Sequence, residues 1–108
     1  MKMLSVDVAI VGAGIAGQTL ALGLAQADFS VVVIDAAKVE SVPTTDFSPR
    51  VSAISKASEH ILQKLGAWEH IQRMQAYSAM HVWEDQSFGE IHFSATENQL
   101  DNLGHIIE

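Results

Sequence analysis

Apolar residues fall into two short continuous runs near the start of the chain, separated by a stretch of helical spacing. Val8–Val11 is the first run, of strand length, bounded by Asp7 and a glycine-rich turn. From Ile15 to about Ala27, the residues Ala16, Leu20, Ala21, Leu24 and Ala27 recur at helical intervals. That spacing predicts a helix lying against a sheet. Gly23 sits inside it at a cost of about 1 kcal/mol relative to Ala. Asp28 stands where the chain must reverse, and Asp tolerates the left-handed conformation better than most residues. Val31–Ile34 is the second run, continuously apolar as in a parallel strand covered on both faces. Strand, helix and strand in this order predict one β-α-β unit.

Beyond it the pattern loosens. Ala36 to Arg50 reads as a loop, with Pro43 and Pro49 enclosing Thr44, Thr45, Asp46 and Ser48. A loop this long is more often functional than a plain connection. A helix is expected from about Ser55 to Leu65, with Ile54, Ile61, Leu62 and Leu65 on one face and Gly66 as its C-terminal cap. A short second helix is expected from Trp68 to about Gln75. Met80 and Val82, then Phe88, Ile91 and Phe93, lie in two strand-like stretches flanking Glu84-Asp85-Gln86-Ser87, which predicts a hairpin. Asn98 to Asn102 is turn-like, and Leu103–Ile107 reads as one more strand. The fold class is therefore α/β: a Rossmann-like βαβ unit followed by the start of an antiparallel β segment. The division is placed between a nucleotide-binding part, 1–75, and the antiparallel part, 76–108.

Size and charge narrow the partners. The 108 residues are 48% hydrophobic, enough for one modest core. A formal net charge of −7 repels nucleic acid and anionic membrane surfaces. The absence of cysteine removes disulfides, thiolate catalysis and thiolate metal sites, and fits a reducing compartment. No targeting segment stands out, and no run approaches the ~20 apolar residues of a membrane span. A cytoplasmic protein is expected. Two parallel strands do not make a covered sheet by themselves, so the chain is expected to be part of a longer protein whose remainder is absent.

The chemistry concentrates at Gly12-Ala13-Gly14-Ile15-Ala16-Gly17. In a G-x-G-x-x-G turn between strand and helix, Gly12 makes the tight turn, Gly14 lets the backbone approach a pyrophosphate, and Gly17 allows close packing of helix on strand. The helix N-terminus directs unpaired N–H groups and a positive dipole end at the phosphates. Asp35 ends the second strand at the spacing of a ribose-binding carboxylate, and its charge disfavours a 2′-phosphate. Read from the residues alone, Arg50 is either a surface partner of one of many carboxylates or a cofactor contact. His60 and His70 are expected to be solvated, and no two of the five histidines have a metal-ligand spacing. His81 and His92 could face each other across the hairpin, yet no metal site is assigned. Glu84, Asp85 and Glu90 read as solubilising, and Trp68 and Trp83 as packing residues.

Several stretches together resemble the FAD-dependent aromatic hydroxylases of ubiquinone biosynthesis, a branch of the class A flavoprotein monooxygenases. They are Asp7 to Gly17, Arg50-Val51-Ser52-Ala53-Ile54-Ser55, Leu65-Gly66-Ala67-Trp68, Val82 to Gly89, and Leu103 to Glu108. The resemblance covers the whole chain but only the first quarter to third of such an enzyme. It implies FAD held by Gly12, Ala13, Gly14, Ile15, Ala16 and Gly17, with Asp35 and Ala36 at the adenosine ribose and Arg50 close to the cofactor. It implies that residues 76–108 begin the substrate-side segment. The implied activity is hydroxylation of a polyprenyl-phenol, with NAD(P)H as reductant and O2 as oxidant. The flavin carries that chemistry, so no catalytic side chain is assigned here. Other implied partners are further ubiquinone-biosynthesis proteins, a second copy of the chain, and peripheral association with the inner membrane. The 108 residues by themselves are expected to be inactive, because two downstream flavin-binding segments are missing. The alternatives are another FAD- or NAD-dependent oxidoreductase, or an inactive nucleotide-binding remnant.

Overall fold

The computed structural model describes residues 2–38 and 45–108. Part of the predicted 36–50 loop, including Pro43 and Thr44, lies outside the described residues. Two compact units divide between Thr45 and Asp46.

The first unit is the β-α-β element. β1 (Val8–Val11) and β2 (Val31–Ile34) pair in parallel, with Val8 opposite Val31 and Val11 opposite Ile34. α1 (Ile15–Gln26) joins them. Its end confirms the reading of Asp28, which takes φ +67°. The Asp28 N–H donates to Ala25 O at 3.1 Å and the Phe29 N–H to Leu24 O at 3.1 Å. These are the paired bonds of a left-handed helix stop, usually made by Gly. At the opposite end of the strand pair, Asp7 and Ser30 form a clamp. The Ser30 N–H and hydroxyl both donate to Asp7 Oδ2 at 2.8 Å, and the Asp7 N–H donates to Ser30 Oγ at 2.9 Å.

α1 covers one face of this pair. Ile10 turns toward the helix and is the buried apolar residue of β1, whereas Val11 is 85% exposed. The expectation that β2 is covered on both faces is not met within the chain, since Ile34 is half exposed. Leu20, expected against the sheet, is also exposed. One helix on two strands can shield only one side of them.

The second unit is built around an antiparallel sheet. It contains β3 (Ser52–Ser55), α2 (Lys56–Lys64), a single 3₁₀ turn at Trp68–His70, β4 (Met74–Tyr77) and β7 (Gly104–Ile107), with the hairpin β5 (Ala79–Trp83) and β6 (Glu90–Ser94). β7 is central, pairing β3 on one side and β4 on the other. Two expectations are corrected here. Ser52–Ser55, where no strand was expected, is β3 and pairs with β7, so antiparallel pairing starts well before residue 76. The helix expected over 68–75 stops after one turn, and Met74–Tyr77 is β4. Pairing of Met74 with Ile107 and of Tyr77 with Gly104 outweighs the helical preference of Met, Gln and Ala.

Ile54, Leu62 and Ile107 form the core, with Ala67, Trp68, Ile71 and Met74 packed on it. Ile61, expected on the same helical face, is exposed. α2 starts with Ser55 accepting the Ser58 N–H at 3.3 Å. It stops at Gly66, φ +76°, where Ala67 N–H donates to Leu62 O and Gly66 N–H to Gln63 O. The buried Glu59 lies 3.4 Å from Lys56 Nζ and 3.3 Å from His105 Nδ1, and accepts from Gln63 Nε2 at 3.2 Å. Glu108 fastens Ser48 to the sheet: its Oε2 accepts from Arg73 at 2.7 Å and its Oε1 from the Ser48 N–H, while Arg73 also donates to Asp46 O at 3.1 Å. Those donors, the Arg73 guanidinium first, hold the Glu108 carboxyl below the usual carboxylate range.

Candidate functional site

The turn between β1 and α1 carries the site. Gly12 has φ +106°, a conformation that favours glycine, and its N–H donates to Ile34 O at 2.7 Å. Gly17 answers a different demand. A Cβ there would lie 1.9 Å from Gly12 O, so the glycine lets the first turn of α1 rest on the loop backbone. Gly14 needs neither allowance. Its φ of −73° suits any residue, and a Cβ on it would meet nothing within 4 Å. The space in front of Gly14 is open.

Gly14 is also the N-cap of α1 and supplies no side-chain cap, and the first turn has no acidic residue. The first helical bond runs from the Gln18 N–H to Gly14 O at 3.0 Å. The N–H groups of Ile15, Ala16 and Gly17 thus stand ahead of the hydrogen-bonded ladder, at the positive end of a 12-residue helix. An anion is the partner that such an end favours.

Asp35 closes the same end of the strand pair. Its Oδ2 accepts the Ala13 N–H at 2.6 Å and its Oδ1 the Ala37 N–H at 2.7 Å. These two bonds, the one from Ala13 first, hold its carboxyl below the usual range. Each oxygen accepts one of these N–H groups and retains a further acceptor position, so the anion is kept charged with capacity to spare. Asp35 therefore also ties the glycine turn to β2. The spacing from Gly14 pointed to the carboxylate, but not to its bond with Ala13. The Gln18 side chain was not anticipated either; its Nε2 donates to Ala13 O at 2.5 Å. A polar residue on the first turn, one position past Gly17, is the signal that could have marked it.

Of the predicted site residues, Gly12 to Gly17, Asp35 and Ala36 share the first unit. Arg50 belongs to the second, where it is exposed and its N–H donates to Ser48 Oγ at 3.1 Å. His60 and His70 are exposed as expected. Trp68 packs on the core, its ring 5.0 Å from that of His105. Trp83, expected to pack, is 66% exposed.

The family model of FAD dependent oxidoreductases matches residues 7–98, most of the chain. The chain belongs to this FAD-dependent oxidoreductase family. The match takes in the whole glycine turn, Asp35 and the hairpin. Among curated relatives, the chain is 42% identical to the 3-demethoxyubiquinol 3-hydroxylase of Escherichia coli strain K12, over 94% of this chain and 27% of that protein. It is 34% identical to the mitochondrial ubiquinone biosynthesis monooxygenase COQ6 of Homo sapiens, over 94% of this chain and 23% of that protein. It is also 34% identical to the ubiquinone hydroxylase UbiL of Rhodospirillum rubrum, over 94% of this chain and 24% of that protein. The chain spans about a quarter of the length of these relatives. Among the described residues, no helix is long and apolar enough to cross a membrane.

Proposed function

We propose that this chain supplies the ADP-binding end of the FAD site in a flavin-dependent monooxygenase that hydroxylates a polyprenyl-phenol in ubiquinone biosynthesis. The observation that carries this reading is the 42% identity, across 94% of the chain, to a relative named for that chemistry. The local geometry fits the cofactor. The space that a Cβ on Gly14 would occupy lies before the uncapped end of α1, where a pyrophosphate would meet the N–H groups of Ile15, Ala16 and Gly17. Asp35 offers its remaining acceptor capacity to the ribose hydroxyls, beside Ala36. Its bond to Ala13 holds the loop in the receptive shape before any ligand arrives. Arg50 is a further candidate cofactor contact on the strength of the family match, which covers it.

When bound, FAD would supply the redox and oxygen-transfer chemistry, with NAD(P)H as reductant and O2 as oxidant. The residues of this chain bind and orient it. No side chain in the glycine turn is a proton donor or nucleophile, and none is required for holding a diphosphate. The 76–108 segment opens the substrate-side part of the enzyme. Peripheral attachment to the inner membrane and association with other ubiquinone-biosynthesis proteins or a second copy belong to the same reading.

Purification of the full-length protein tests it. The protein is expected to carry FAD, and the Gly14→Val variant to lose it while remaining folded. Consumption of NAD(P)H coupled to hydroxylation of a demethoxyubiquinol analogue tests the activity. A colourless protein that takes up no FAD would refute the cofactor assignment. FAD retention without hydroxylation of any polyprenyl-phenol would favour another FAD-dependent oxidoreductase reaction.

A further inference from the structure

The β5–β6 hairpin presents a group of side chains unrelated to the glycine turn. His81 and His92 are directly opposite in the antiparallel register, and Trp83 is opposite Glu90. Alternation along each strand therefore sets His81, Trp83, Glu90 and His92 on one face. Met80, Val82, Ile91 and Phe93 occupy the other. The two imidazoles stack with centroids 3.8 Å apart and planes 15° from parallel. Glu90 Oε2 lies 3.1 Å from His81 Nε2 and 3.9 Å from His92 Nε2. One potential ligand atom from each residue falls within 4.8 Å of the others.

We propose that His81, Glu90 and His92 bind a borderline divalent cation, with Zn2+ as the best fit. Zn2+ takes imidazole nitrogen and carboxylate oxygen at about 2.0–2.2 Å, which places neighbouring ligand atoms of a tetrahedral site about 3.3 Å apart. The observed 3.1 and 3.9 Å bracket that separation. The two rings are stacked with near-parallel planes, so ligation requires them to rotate out of the stack until both ring planes meet at the ion. All three side chains are exposed and leave room for that rotation. An open depression of about 520 Å3 is lined by two of the three, His81 and Glu90, together with Trp83 and Phe88, so the solvent-facing side can supply water as a fourth ligand. The donor set excludes Mg2+ and Ca2+, which prefer six or more hard oxygens. Sequence spacing does not reveal the site, because the ligands converge through strand pairing rather than along one helix face. A bound ion would cross-link two strands that, among the described residues, pair with no other strand.

The test is calorimetric titration of Zn2+ into full-length, FAD-loaded protein stripped of metals. A saturable site is expected, with affinity falling at least about tenfold in His81→Ala and in His92→Ala and by a smaller factor in Glu90→Gln. His60→Ala and His70→Ala serve as controls with unchanged affinity. Co2+ in place of Zn2+ should give the intense visible bands of a four-coordinate site, and these should vanish in the His81→Ala/His92→Ala double variant. The altered side chains are exposed, so matched circular dichroism spectra are expected throughout. No saturable binding, or binding that survives the double variant undiminished, would overturn the proposal. Either result leaves the FAD reading untouched, because flavin content is measured separately.

Discussion

Gly14 and Gly17 stand three residues apart in one motif, and the structure gives them opposite consequences on substitution. In Gly17→Ala the new methyl group would sit 1.9 Å from Gly12 O and 3.1 Å from Gly12 C. Both are backbone atoms, and the oxygen must retreat by about 1.5 Å to reach an ordinary contact distance. That retreat has to move a peptide whose residue is itself held by the 2.7 Å bond from the Gly12 N–H to Ile34 O. Overpacking of this kind costs about 1–3 kcal/mol, and two fixed backbones put it near the upper end. Gly14→Val adds a side chain with no protein atom within 4 Å of its Cβ, at an extended φ that Val accepts. Its cost to the apoprotein is below about 1 kcal/mol, the difference between N-cap preferences. Denaturant unfolding of the flavin-free full-length variants, paired with FAD content after reconstitution, separates the two effects. Gly17→Ala should lower stability and flavin content together, while Gly14→Val should lower flavin content alone. Equal loss of apoprotein stability in both variants, or full flavin retention in Gly14→Val, would refute this division of roles.

Asp35→Ala should weaken FAD binding by roughly an order of magnitude through loss of a hydrogen bond to a charged group, as read by equilibrium dialysis; unchanged affinity would leave Asp35 only its structural bonds to Ala13 and Ala37. Leu62→Ala should destabilise the second unit by about 2–5 kcal/mol in denaturant unfolding, since Leu62 is buried between Ile54 and Ile107. Acid should loosen the β1–β2 pair. Hydrogen bonds, chiefly from the Ser30 backbone for Asp7 and the Ala13 backbone for Asp35, hold both carboxyls below their usual range. Because the folded-state values are depressed, the stabilisation is present above the unfolded value of about 3.9 and lost as pH falls through the folded values. Amide exchange in β1 and β2 should therefore show lower protection, as an equilibrium stability, only at acid pH. Asp7→Asn should reduce that pH dependence.

The β-α-β unit was legible in the sequence because its signals are local. Two apolar runs, a glycine turn and a reversal at Asp28 each specify the conformation of a few adjacent residues, and the strands appear where those signals place them. The hairpin and the final strand follow from equally local alternation. The strand at 52–55 was missed and 68–75 was misread as a helix because their conformation is decided at a distance. β3 and β4 become strands by pairing with β7, about fifty and thirty residues further along the chain. Ile54, Ile71 and Met74 gain burial only once that sheet exists. The site divides in the same way. Gly12, Gly14, Gly17 and Asp35 could be named from spacing alone. That Asp35 grips the Ala13 N–H, that Gly17 touches the Gly12 carbonyl, and that His81, Glu90 and His92 converge were decided by tertiary structure, because each depends on how separate segments are brought side by side.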